Sequence, residues 1–216
     1  MNKFQIIIIL ISLLVFGSSI GVKANNLEFK GVLTYNTLDY SEDFVRDDLK
    51  EGSGYYLEST YWLNDELGLG LGVDFIRANW ESGYDWVEGR EDFEYEKNLV
   101  GLLINSKYRL NDYLIFNSGL GYYNFTKDRH SRYSWKDGAN TIRYQKGSGL
   151  GGLIGLELNY PVKNNLSISS GISYRSTNIN INKVHSGYWG GLVDNLDDEN
   201  LKIRGLFLST GISYMF

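Results

Sequence analysis

The sequence predicts an all-β chain, an eight-stranded antiparallel up-and-down transmembrane β-barrel. Three observations carry that prediction. Apolar residues recur at every second position from end to end with no convincing 3.6-residue period. The connections alternate between short and long, and tyrosines fall at both ends of the apolar faces. Helical spans are excluded, because beyond the first segment apolar runs such as LVGLLI at 99–104 fall far short of the roughly 20 residues that a spanning helix needs.

The first segment reads differently from the rest. Lys3 is followed by IIIILISLLVF, then by small residues and the step Val22-Lys23-Ala24. Positive charge, a short apolar core and small residues flanking the cut are the order of a secretory signal peptide, so residues 1–24 are expected to be removed and 25–216 to form the barrel. The remainder keeps 19 of the 21 basic residues against 26 acidic ones, a formal charge of −7, which gives no reason to propose a nucleic-acid partner. It has no cysteine, so an exported chain of this kind holds itself together through a core or a closed sheet.

The strands follow in order. Residues 27–38 place Leu27, Phe29, Leu33 and Tyr35 on one face and Glu28, Lys30, Thr34 and Asn36 on the other. Residues 55–63 come next, and then LGLGLGVDF at 67–75 sets Leu67, Leu69, Leu71, Val73 and Phe75 against Gly68, Gly70, Gly72 and Asp74. Residues 93–110, 113–125, 148–160, 166–179 and 201–216 repeat the pattern and bring the strands to eight. Short turns are expected at 64–65, 111–112 and 161–165, where Asn, Asp and Pro supply turn geometry. Long polar loops are expected at 39–54, 78–92, 126–147 and 180–200, all at the opposite end from the short turns. STYWLNDELGLGLGVDF, SKYRLNDYLIFNSGLGYYNF and LELNYPVKNNLSISSGISYR each read as strand, tight turn, strand. A meander of such hairpins removes its two edges by closing into a barrel.

Alternation alone does not say which side of a barrel is apolar. The less greasy face carries Glu28, Lys30, Glu58, Asp74, Lys107, Glu157 and Arg175 among many glycines and serines. Small residues are poor strand formers on a wet surface, but they have a purpose in an eight-stranded interior only just wide enough for side chains. Tyr108, Tyr160 and Tyr214 near the short turns, with Tyr35, Tyr55, Phe75, Tyr122 and Tyr174 near the long loops, make the two aromatic rings that membrane interfaces select. Most apolar faces also span about the 9–11 residues of a tilted transmembrane strand.

On these residues the chain resembles the small outer-membrane β-barrels of the OmpX/OmpA/OmpW type. The resemblance is sharpest in LSTGISYMF, where Leu208, Ile212, Tyr214 and Phe216 match the alternating C-terminal pattern of that family and Thr210 departs from it. It implies residence in the cell outer membrane, recognition of the last strand by the barrel-assembly machinery and contact with outer-membrane lipid. It assigns no activity, cofactor or metal.

GSGLGG at 147–152 satisfies G-x-G-x-x-G but runs on into strand, whereas a nucleotide site needs a helix there. His130-Ser131 and His185-Ser186 are adjacent pairs, which on a strand point to opposite faces, so no hydrolytic centre and no enzyme is expected from them. DNLDDEN at 194–200 lacks the ligand spacing of a calcium loop. The seven interior charges must be paired, either as a salt-bridged plug or as the wall of a narrow polar path. In the long loops Trp80, Tyr84, Trp86, Arg129, Arg132, Trp135, Tyr188 and Trp189 are candidates for contacting a glycan or a protein, although loop bases at the lipid headgroups also select aromatic side chains. The function expected is non-enzymatic: a monomeric structural or adhesin-like surface protein. A small channel is the alternative, and a lipid-modifying enzyme is a weaker one.

Overall fold

β-Branched and aromatic residues in two-residue alternation, punctuated by Asn and Gly, favour strands joined by tight turns, and the strands are long. They are β1 (Leu27–Thr37), β2 (Asp39–Ser41), β3 (Glu51–Trp62), β4 (Leu67–Trp86), β5 (Gly89–Arg109), β6 (Leu114–Tyr133), β7 (Lys136–Lys163), β8 (Leu166–His185), β9 (Leu192–Asp194) and β10 (Asn200–Met215). The computed structural model describes residues 26–41, 51–86, 89–133, 136–185, 192–194 and 199–216, and gives the backbone alone at 39–41, 80–86, 89–93, 130–133 and 136–144. The expected leader at 1–24 lies outside these residues.

Eight strands form one closed ring in the order β1-β3-β4-β5-β6-β7-β8-β10, every neighbour antiparallel, and β10 returns to β1. Closure runs from Glu28↔Met215 to Asn36↔Phe207, and the Phe216 N–H donates to the Leu27 carbonyl at 2.8 Å. The short β2 continues past Leu38 along β10, and β9 adds to the end of β8.

Two of the short turns are built alike. Asn64 Oδ1 accepts from the N–H groups of Glu66 and Leu67 at 2.9 and 2.7 Å, and Asn111 Oδ1 accepts from those of Tyr113 and Leu114 at 2.9 Å each. Asn111→Ala is expected to lower stability by about 1 kcal/mol in a lipid-reconstituted urea titration, with Asn111→Asp retaining most of it. The third turn is tighter than the expected 161–165, because β7 runs through Pro161 to Lys163. Strand β6 pairs with β7 only as far as Leu158, so the missing N–H of Pro161 breaks no ladder on that side.

A larger correction concerns the long loops. Much of 78–92, 126–147 and 180–200 is strand: β4 continues to Trp86, β6 to Tyr133 and β8 to His185. The two faces exchange character where the strands enter this region. Below the change, Leu33, Leu102, Ile104, Leu120, Leu150, Ile154, Leu208 and Ile212 point outward and are exposed, while the inner face carries charged, Asn, Ser and Thr side chains with a few apolar ones such as Val32, Leu103, Ile115 and Leu153. Above it, Arg77, Asn79, Asn124, Lys146, Asn178, Lys202 and Arg204 point outward, and the inner face holds Ile76, Ala78, Leu99, Phe125, Ile179, Ile181, Leu201 and Ile203 in one buried cluster.

Outward-facing aliphatic side chains cover the lower barrel all round, far beyond the few hundred Å² that a soluble monomer exposes in one patch. This is a membrane barrel. Its apolar band is bordered by Tyr35, Tyr55, Tyr122 and Tyr174 at one end and by Tyr108, Tyr113, Tyr160, Tyr214 and Phe216 at the other, all exposed. Tyr113 stacks on Tyr160 at 6.2 Å, and Phe216 meets Phe29 and Tyr214 edge-on at 5.5 and 4.8 Å.

Candidate functional site

Alternation sends Glu28, Lys30, Glu58, Asp74, Lys107, Glu157 and Arg175 inward, where all seven are buried. They fall into two groups. Nearer the short turns, Glu58 Oε2 lies 3.2 Å from Lys30 Nζ and 2.9 Å from Lys107 Nζ, and Lys30 also pairs with Glu157. Glu28 takes a hydrogen bond of 2.8 Å from Trp62 Nε1, whose ring carries the Arg109 guanidinium 4.2 Å from its centre. Further up, Arg175 Nη2 lies 2.5 Å from Asp74 Oδ2, Nη1 donates to Asn36 Oδ1 at 2.9 Å, and the guanidinium lies over Phe207 at 4.7 Å. Asn105 donates to the Tyr56 hydroxyl at 2.6 Å between the groups.

Trp62, Arg109, Asn36, Tyr56 and Asn105 complete this network, although the sequence reading did not name them as site residues. Parity was the available signal, since Tyr56 and Trp62 share the face of Glu58, and Asn105 and Arg109 share that of Lys107. The enclosed space left beside Lys30, Glu58, Asn105, Asn117 and Glu157 is about 20 Å³, room for about one water molecule. Above it the buried apolar side chains pack against one another. Gly101 shows how tightly, because a methyl group there would overlap the buried Tyr123 ring.

The second candidate region is the sheet that rises above the ring. Pairing of β3 with β4 stops at Ser53↔Arg77, whereas β4 with β5 continues to Trp86↔Gly89. Pairing of β7 with β8 stops at Gln145↔Val184, whereas β6 with β7 continues to Tyr133↔Lys136, and β5 with β6 runs up to Glu91↔Tyr133. Strands β4 to β7 therefore stand up as a four-stranded sheet. Among the described residues, 78–86 of β4 and 136–144 of β7 pair on one side only.

Trp80, Tyr84, Trp86, Arg129 and Arg132 are thus on strands rather than in loops. Register sets Trp80, Tyr95, Arg129 and Ile142 in one row across β4, β5, β6 and β7. Lys127 Nζ lies 5.4 Å from the centre of the Tyr95 ring. Arg132 pairs with Asp92 and Ala139 and, three residues from Arg129, falls on the other face. Trp135, Tyr188 and Trp189 lie outside the described residues.

The other motifs resolve simply. GSGLGG is part of β7 and is followed by strand. His130 pairs with Glu94 and Thr141, its neighbour Ser131 falls on the opposite face, and Ser186 lies outside the described residues. Asp194 lies 3.7 Å from Lys183, residues 195–198 are outside the description, and no described group of three or more acidic, His or Cys side chains is disposed to hold a metal.

No protein-family model matches the chain, and no curated protein does. Solved structures do. The chain is similar to the attachment invasion locus protein Ail of Yersinia pestis in complex with the heparin analogue sucrose octasulfate, at 16% identity and a TM-score of 0.50, covering 88% of this chain and 99% of that one. It is also similar to the outer membrane protein OprG of Pseudomonas aeruginosa, at 15% identity and a TM-score of 0.47 over 90% and 97% of the two chains. Neisserial surface protein A follows at 17% identity and a TM-score of 0.46 over 88% and 97%. The likeness to Ail is one of fold, a small closed β-barrel.

Proposed function

We propose that the chain is an outer-membrane surface protein that is closed to solutes, non-enzymatic and monomeric, and that binds a glycan or protein through the sheet of β4 to β7. Export by a cleaved leader at 1–24 and insertion by the barrel-assembly machinery through β10 complete this reading. The carrying observation is the raised sheet itself, which extends strands well past the membrane band and lines up Trp80, Tyr95 and Arg129 across three of them. An aromatic pair beside a guanidinium suits a sugar ring bearing acidic groups. The heparin analogue held by the Yersinia pestis protein is of that chemistry, so an acidic glycan is the first ligand to try.

A channel would require a continuous polar lumen, and the apolar layer of Ile76, Leu99, Phe125, Ile179 and Ile203 interrupts one. In planar bilayers the purified barrel is expected to give no discrete conductance steps, and regular steps would reverse the closed reading. On immobilised heparin, Trp80→Ala combined with Arg129→Ala is expected to weaken retention by about tenfold or more, as loss of a central aromatic and Arg anchor does. Retention equal to that of the parent protein would remove the sheet from the proposal.

A further inference from the structure

The girdle of outward residues directly above the membrane band is electrically lopsided. On β7, β8 and β10, the first two outward positions above Leu150, Tyr174 and Leu206 are Ser148 and Lys146, Ser176 and Asn178, and Arg204 and Lys202. They carry three cations and no acid. On the other strands the equivalent positions include Glu51, Glu96 and Asp39 against a single cation, Arg77, which is already paired with Glu96 at 2.5 Å. Lys146, Lys202 and Arg204 are exposed and make no ion pair with a described residue. Asp39 is the nearest acid by register, opposite Arg204. Across β7 and β8, Lys146 stands directly opposite Lys183, which Asp194 on β9 already pairs at 3.7 Å, so Lys146 is left with no anion of its own among the described residues.

Height identifies the anion. A strand rises about 3.3 Å per residue, so two to four residues above Leu206 and Leu150, along a strand tilted as in small barrels, is roughly 5–10 Å above the hydrocarbon edge. That is the headgroup layer, and the long lysine stems can lower their ammonium groups into it. We propose that the β7–β8–β10 side of the barrel is a docking site for phosphate-bearing headgroups of the surrounding outer-leaflet lipid, with Lys146, Lys202 and Arg204 as the phosphate ligands. The inference rests on the membrane reading of the apolar band and is independent of what the raised sheet binds.

The test is native mass spectrometry of the folded protein released from nanodiscs of phosphatidylcholine doped with lipid A or with its dephosphorylated form. The parent protein is expected to retain lipid A and not the dephosphorylated lipid. Each of Lys146→Gln, Lys202→Gln and Arg204→Gln should reduce retention by ~fivefold, while Lys163→Gln at the opposite end leaves it unchanged. Heat-modifiable migration on a gel shows in each case that the barrel is folded and embedded. Folded variants that retain lipid A as the parent does would overturn the proposal, as would equal loss in Lys163→Gln. Displacement of lipid A by inorganic phosphate would also overturn it, by showing a site for the free ion.

Discussion

Glu58→Ala should destabilise the folded barrel by about 3–5 kcal/mol, because one carboxylate oxygen serves two buried ammonium groups. Lys30 would keep Glu157, but Lys107, which is 1% exposed, would lose its close partner and be left buried without it. The measurement is reversible urea unfolding in lipid vesicles followed by tryptophan emission. Removing both charges in Glu58→Leu with Lys107→Met should recover most of the loss, since a buried pair replaced by apolar groups of similar volume is often neutral. A loss below about 1 kcal/mol for the single variant, within the range of ordinary surface changes, would mean that water reaches Lys107 and that the lumen is wet.

Ile104→Lys should cost about 2–4 kcal/mol in a bilayer. Ile104 is outward, 68% exposed and midway along the apolar face of β5 between Val100 and Tyr108. In a water-soluble barrel a lysine at so open a position would cost almost nothing, so the substitution separates the two surroundings by several kcal/mol. Asn124→Lys, just above the band on β6, supplies the contrast and should be near neutral. Equal, small effects at both positions would refute the assignment of the apolar face to lipid.

The lower barrel was legible because lipid and lumen are opposite solvents on opposite faces of each strand, so Leu67 to Phe75 betray their surroundings by parity alone. The upper hairpins were not. Their outer face is polar and their inner face mixes aromatic, charged and small residues, which in isolation reads as loop. A signal was nevertheless present as a change of phase. In β8, Ile168, Ile172 and Tyr174 are even-numbered and outward, whereas Ile179 and Ile181 are odd-numbered and inward. In β10, Leu201 and Ile203 oppose the phase of Leu206, Leu208 and Ile212. LVGLLI loses its alternation for the same reason, since Leu99 belongs to the inner apolar layer and Val100 to the lipid face. The network was half legible: parity put the seven charges inside, but the pairing of Lys30 with Glu157, 127 positions away, depends on strand order and stagger that no local pattern carries.

The seam between β1 and β10 has a kinetic consequence. Its pairs join residues at nearly the greatest separation the described chain allows, as in Glu28↔Met215. Every other neighbouring pair in the ring is joined by a hairpin or a single connection and can zip locally, whereas this one must wait until the last strand has been delivered. The open sheet before that moment has two bare edges with unpaired backbone groups, which hydrocarbon does not tolerate. Insertion and closure are therefore one event, and the barrel has no stable half-built form in the membrane.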